Sequence, residues 1–264
     1  MDAQELYTFL DFALATAELG GRECVRYFRT GLAAENKSPG HGYDPVTTAD
    51  RAAERVIRER IGERYPDHAI SGEELGYRCG KSRFTWFIDP IDGTRSFVSG
   101  LLHWATMIAL NDGERPVLGV VHQPIVGESF VGSIAGRAQW LRGGTSRTLT
   151  ARRCDSLSDA SVSVTDPRQF TSPYETGVLE KLSGAARDVC YGAECYGSCL
   201  VASGQIDVVL EVGLDAHDVQ PLIPIVEAAG GVITDWQGRP CQAGGSILAC
   251  GDRALHDALL RMIA

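Results

Sequence analysis

The nine residues Trp86-Phe87-Ile88-Asp89-Pro90-Ile91-Asp92-Gly93-Thr94 constrain this chain more than any other stretch of it. An apolar run, Phe84 to Ile88, reads as a strand and ends in two acids placed three apart around a proline, which fixes φ and cannot continue a helix. Only a tight bend turns both carboxylates toward one point, where they repel unless a cation lies between them. Oxygen ligands alone select a hard ion such as Mg2+ or Mn2+ over zinc. Gly93 and Thr94 then set backbone N–H groups and a hydroxyl beside that ion at the start of a helix, an arrangement that suits a phosphate. Taken alone, the segment also reads as an Asx-turn followed by an N-cap, because Asp, Pro and Gly are ordinary turn residues.

Three further acidic positions narrow that choice. A short run, His68 to Ser71, reads as a strand ending in Gly72-Glu73-Glu74. Thr47, Thr48 and Asp50 precede Ala52, Ala53, Val56, Ile57 and Ile61 at helical spacing, which puts Asp50 in the first turn of a helix ending before Pro66. Asp218 stands at the head of a helix over Val219–Ala229 that runs into Gly230-Gly231.

Around these acids the pattern has two halves. Leu6, Phe9, Leu10, Ala13, Leu14 and Ala17 recur at helical spacing behind Asp2, Glu5 and Asp11, so the start of the chain reads as an amphipathic helix and not as a signal peptide. Gly20-Gly21 interrupts it, helical character resumes to Arg29, and a polar stretch from Gly31 to Pro45 reads as a mobile loop. His41, Tyr43 and Asp44 lie in that loop, Asp44 reading either as a solvated loop acid or as one that reaches a metal when the loop closes. Short β segments at Trp104–Leu110, Val117–Val121, Ser129–Ser133 and Ala138–Leu141 describe an antiparallel meander. Gly143-Gly144-Thr145-Ser146 marks a boundary, giving an α+β lobe over 1–143 and an α/β lobe over 144–264. In the second lobe, strands at 160–164, 189–191, 208–211 and 231–235 alternate with helices at 176–182, 196–202 and 219–229. The run Ala254–Ile263 closes that lobe as a surface helix.

The 264 residues carry 25 basic and 34 acidic side chains, net −9, and are 44% hydrophobic, which excludes a disordered chain. The same acidity argues against a nucleic-acid partner and against anionic membranes, both of which need clustered Lys and Arg. No window approaches the ~20 apolar residues of a membrane span. Eight cysteines without a C-x-x-C pair read as small buried hydrophobes in a reducing cytosol, not as a zinc ribbon or a disulfide framework. Phosphotransfer from ATP lacks its loop: there is no G-x-x-x-x-G-K-[ST].

The segments Gly72-Glu73-Glu74, Trp86 through Thr94, and Asp218 through Glu227-Ala228-Ala229-Gly230-Gly231 resemble the two signatures of the inositol monophosphatase family of Mg2+-dependent, lithium-sensitive phosphatases. The resemblance implies an α-β-α-β-α layered sandwich. It also implies two to three Mg2+ ions, with Mn2+ as a substitute, held by Glu73, Asp89, the Ile91 carbonyl, Asp92 and Asp218. Asp50 and Thr94 then orient and deprotonate the attacking water, with Glu73 counted beside them as catalytic, while Glu74 keeps an open role. A small phosphomonoester substrate, a homodimer and a cytoplasmic location complete what is implied.

Within the family, Asp218 through Gly231, the element Gly192-Ala193-Glu194-Cys195-Tyr196, and Phe97 with Ser99-Gly100 are closest to histidinol-phosphate phosphatases, although His217 stands where that branch has Tyr or Trp. The substrate-binding set is then Asp92, Gly93, Thr94, Glu194, Glu211 and Asp218. Histidinol phosphate is the first substrate and inositol monophosphate the second, with nucleotide 3′-phosphates and sugar bisphosphates behind them. For Glu194 a solvated acid at a helix start is the alternative reading, and for His217 a buried histidine bonded to a backbone carbonyl. A non-catalytic regulator that keeps the fold is a different class, which loss of the water-activating pair or of a metal carboxylate would betray; none is missing.

Overall fold

The computed structural model describes residues 1–36 and 45–264, so His41, Tyr43 and Asp44 lie outside the described residues. Helix α1 (Ala3–Val25) is capped by Asp2, whose carboxylate accepts the Glu5 N–H. It runs unbroken through Gly20-Gly21 and ends four residues short of Arg29, which adopts φ 59°. The glycines serve packing: a Cβ on Gly20 would stand 2.5 Å from Ile57 Cδ1, and one on Gly21 2.8 Å from His122 Cδ2. A two-residue pair, β1 (Glu35–Asn36) and β2 (Pro45–Val46), precedes α2 (Thr48–Arg64), which opens on a capping box of Thr47 and Asp50.

The first large sheet has eight strands: β3 (Ala69–Gly72), β4 (Gly76–Arg78), β5 (Thr85–Asp92), β6 (Ala105–Asn111), β7 (Pro116–Gln123), β8 (Glu128–Ser133), β9 (Ala138–Arg142) and β10 (Thr145–Thr148). Helix α3 (Thr94–Val98) sits between β5 and β6. The meander from β6 to β9 stands where the alternation puts it, but the sheet is mixed, because β3 and β5 run parallel. Gly143-Gly144, both at positive φ, turn the β9–β10 hairpin, so the sheet continues past the boundary read at 143.

The second sheet has five strands in the order β12-β11-β13-β15-β14, with β11 (Ser161–Val164), β12 (Asp188–Tyr191), β13 (Val208–Leu214), β14 (Val232–Asp235) and β15 (Gly245–Cys250). Strand β15 has no counterpart in the sequence reading. The helices of this half are α4 (Pro173–Ala185), α5 (Tyr196–Ala202), α6 (Ala216–Val219), α7 (Leu222–Ala228) and α8 (Arg253–Ile263). The helix expected over 219–229 is thus two, since Pro221 has no N–H to extend α6.

Three of the four apolar cores among the described residues stack these parts into five layers. Leu6, Leu10, Ala13, Ile57 and Ile61 of α1 and α2 cover one face of the eight-stranded sheet at Ile88, Ile108 and Val120. Cys199 and Val201 of α5 and Ile225 and Val226 of α7 fill the space between Met107 and Phe130 of the first sheet and Val209, Ile247 and Ala249 of the second. Outside the second sheet, Leu179 and Leu182 of α4 and Leu255 and Leu259 of α8 close on Val162, Leu210 and Leu248. The period of two along β13 puts Val208, Leu210 and Val212 on the outer face and turns Val209 and Glu211 inward.

Candidate active site

Strand β5 does not end at Asp89. It continues through Pro90 to Asp92, and its pairing with β6 shifts between Asp89 and Asp92. Proline is tolerated at such an irregularity because no ladder N–H is needed there. The Pro90 carbonyl instead accepts the Thr106 hydroxyl at 2.9 Å. The extra length turns Asp92 to the same side as Asp89, the task the sequence reading gave to a tight bend. Gly93 follows at φ 79°, where a Cβ would lie 2.5 Å from the His103 carbonyl, and Thr94 opens α3.

Asp218 comes from the second half of the chain, and two glycines let it arrive. A Cβ on Gly119 of β7 would stand 1.8 Å from the Pro221 carbonyl, and one on Gly132 of β8 2.4 Å from Ile225 Cα. The α6–α7 corner therefore rests directly on the first sheet. Gln220, buried, ties the same corner to the end of β6 through Asn111 Nδ2 at 3.0 Å. Carboxylate oxygens of Asp89, Asp92 and Asp218 then all lie within 4.8 Å of one another.

Each of these acids has an oxygen pinned by a backbone N–H. Ile91 N donates to Asp89 Oδ1 at 3.0 Å, Cys195 N to Asp92 Oδ2 at 2.9 Å, and Asp215 N to Asp218 Oδ2 at 2.7 Å. Burial, then Glu73, Asp92 and Asp218, push the Asp89 carboxyl well above the usual range, and Glu73 shares a hydrogen bond with it. Burial also raises Asp92 against the Cys195 N–H, and raises Asp218 to about 7 in spite of His217. His217 Nε2 lies 3.4 Å from Asp218 Oδ1, so its partner is this carboxylate and not the backbone carbonyl read from the sequence. Three oxygen-bearing acids that resist ionisation together, with no sulfur or imidazole among them, fit a hard divalent cation.

Glu73 is half-buried at the β3–β4 turn, its N–H bonded to the Ile88 carbonyl at 3.1 Å. Asp50, buried, accepts the Thr47 N–H at 2.8 Å and the Thr47 hydroxyl at 2.6 Å on Oδ2, while burial lifts its carboxyl to about 6. The Thr94 hydroxyl lies 3.4 Å from Asp50 Oδ1 and 3.0 Å from the Ile91 carbonyl oxygen. The site thus brings Asp50, Glu73, Asp89, Ile91, Asp92, Thr94 and Asp218 to one place.

Beside it a pocket is lined by Asp92, Gln169, Glu194, Ser198, Glu211 and Asp218, among others. Glu194, at φ 51°, is half-buried over Gly93 in the pocket wall and is not the solvated acid of the alternative reading; burial, then Asp92, raise its carboxyl to about 8. Glu211 Oε1 accepts the Thr165 N–H at 2.7 Å, its Oε2 is buried without a hydrogen-bond partner, and burial lifts the carboxyl to about 8. Gln169 Oε1 is likewise buried and unpartnered. The sequence reading missed Gln169, which sits in a single-turn 3-10 helix after β11 with no motif around it.

The family model for the inositol monophosphatase family matches residues 5–264. The bifunctional phosphatase IMPL2 of Arabidopsis thaliana chloroplasts is 35% identical over 98% of this chain and 76% of its own length. A histidinol-phosphatase of Chlorobaculum parvum is 34% identical over 96% of both. The solved inositol monophosphatase of Zymomonas mobilis superposes with a TM-score of 0.86 at 33% identity, covering 100% of this chain and 99% of that one. Among the described residues no helix is long and apolar enough to cross a membrane. With its layered sheets, its converging carboxylates and its full-length match, this chain belongs to the inositol monophosphatase family of metal-dependent phosphatases.

Proposed function

We propose that the chain hydrolyses histidinol phosphate to histidinol and phosphate, with Mg2+ held by Glu73, Asp89, the Ile91 carbonyl, Asp92 and Asp218. The convergence of Asp89, Asp92 and Asp218 carries the phosphatase reading. When bound, the cation supplies charge neutralisation for the phosphate oxygens and the leaving alkoxide and acidifies the attacking water. The protein's own part is orientation and proton transfer. Thr94 offers its oxygen to that water, and Asp50 Oδ1, 3.4 Å from the hydroxyl and kept in place by Thr47, receives the proton passed along. Gly93, its left-handed turn closed in by the His103 carbonyl, offers the phosphate its backbone N–H at the start of α3.

The acceptor-rich pocket favours histidinol phosphate within the class. Unpartnered oxygens on Glu211 and Gln169, with Glu194 lining the same pocket, suit a leaving group that carries an ammonium and ring N–H donors. Relatives with histidinol-phosphatase activity support the same choice. Inositol monophosphate is the second reading, supported by the solved inositol monophosphatase that superposes on the whole chain. The active form is a cytoplasmic homodimer, and Mn2+ substitutes for Mg2+.

Phosphate release measured across histidinol phosphate, inositol 1-phosphate and p-nitrophenyl phosphate tests this. Glu211→Gln is expected to lower kcat/KM for histidinol phosphate by about 10–150-fold, the worth of one charge-assisted hydrogen bond, and to change it far less for p-nitrophenyl phosphate. Equal losses on both esters mean that Glu211 serves the metals or the fold and not specificity, and a wild-type preference for inositol 1-phosphate rejects histidinol phosphate as the substrate.

A further inference from the structure

Helix α2 carries a second acid, four residues after Asp50, that the site above does not use. Glu54 has no exposed surface. Its Oε2 accepts the Glu74 N–H at 2.7 Å, and both of its oxygens lie 3.3 Å from the Leu75 nitrogen. Arg58, one turn on, donates Nε to Glu54 Oε1 at 2.6 Å and Nη2 to the Gly76 carbonyl. The β3–β4 hairpin pairs Gly72 with Gly76, so the three residues between them, Glu73, Glu74 and Leu75, are held from both sides by α2. Gly72 makes the approach possible, since a Cβ there would lie 1.9 Å from Glu54 Oε1.

We propose that Glu54 and Arg58 are positioning residues that hold the Glu73 turn in the shape required for metal binding. A short hairpin with an exposed tip can send its N–H groups to water, so its stability does not require a buried acid. Burying an ion pair is itself weak support for a fold, because desolvation offsets the attraction. What the pair does supply is direction. The Glu73 N–H is fixed to Ile88, next to Asp89, and the two following N–H groups are fixed to Glu54, which fixes the backbone from which the Glu73 side chain reaches its hydrogen bond with Asp89. Groups that orient a metal ligand in this way typically change affinity by roughly 10–100-fold when altered. The proposal rests on the reading of Glu73 as a ligand.

The test is Mn2+ binding by calorimetry on the full chain without substrate, together with amide exchange at Glu74 and Leu75. Glu54→Gln, which turns an NH2 group toward N–H donors, is expected to weaken Mn2+ binding by roughly 10–100-fold. It also speeds exchange at both amides, while kcat at saturating metal falls much less than affinity. Faster exchange with unchanged Mn2+ affinity overturns the proposal. Glu73→Gln separates the two claims: if it leaves Mn2+ binding intact, Glu73 is not a ligand and both fall. If it weakens binding and Glu54→Gln does not, only the positioning role fails. Should Glu54→Gln not fold, Arg58→Lys, which keeps the charge and loses the fork to Gly76, carries the same expectation and the same overturning result.

Discussion

Two kinds of acid withdrawn from solvent occur in this chain. Asp207, without exposed surface, is met by the Nε and Nη2 of Arg152 and by the Ser161 N–H, which joins the start of β13 to the start of β11. Glu54 is answered in the same way by Arg58 and two backbone N–H groups. Asp89, Asp92 and Asp218 each hold one backbone N–H and then face one another. The first kind completes itself inside the protein and fixes backbone. The second kind is complete only with a cation, and its desolvated, mutually repelling carboxyls record that need.

The sharpest way to break this contrast is to alter the second kind and the hydroxyl beside it. Asp92→Asn is expected to lower kcat by at least about 100-fold and to raise the Mg2+ concentration needed, with the metal-free chain no less stable, because a like charge has been removed. Thr94→Ala should lose about 10²–10⁴-fold in kcat while Mg2+ dependence stays put. A Thr94→Ala variant that turns over at the wild-type rate under saturating Mg2+ removes the hydroxyl from the chemistry.

The complementary change is Asp207→Ala. It should cost at least about 1–3 kcal/mol in denaturant unfolding, the penalty of leaving the buried Ser161 N–H without an acceptor, and should spare kcat per folded molecule. A large kcat effect with unchanged stability would erase the distinction between the two kinds of acid.

The last test is the pH dependence of stability. Glu194 and Glu211 are raised to about 8 and Asp218 to about 7, against ordinary carboxyl values near 4. The native metal-free chain therefore binds more protons than the unfolded one between about pH 4 and pH 8, and stability present below that window is lost as pH rises through it. The melting temperature in EDTA should be lower at pH 8 than at pH 5, and Mg2+ should shrink that difference at pH 8. A melting temperature in EDTA that rises from pH 5 to pH 8 contradicts the account.

The metal-facing acids were legible because their geometry is local: Asp89, Pro90, Asp92 and Gly93 are neighbours in sequence, and a proline between two acids has few conformations. The meander and the strand-helix alternation were legible through period. The parts that escaped are those decided by what lies across the layers. Gly20-Gly21 looks like a break, yet the helix continues because α2 and β7 press against those two positions. Pro90 looks like a strand end, yet pairing resumes beyond it once the register shifts. Gln169 carries no signal of its own, and its place in the pocket wall is set by the fold that also brings Glu211 there from β13. Glu54 reads as one more charge on an amphipathic helix until the β3–β4 turn closes over it.

Gly119 and Gly132 carry a consequence that reaches beyond packing. Each contributes only hydrogens where the α6–α7 corner lands, so the gap between the halves of the metal cluster is gauged by two missing methyl groups, on strands that bear none of its carboxylates. A methyl at either position acts as a shim: it leaves every carboxylate in the chain and spoils the register between them. The least chemically active residues of the molecule therefore set the tolerance to which its most active ones are machined.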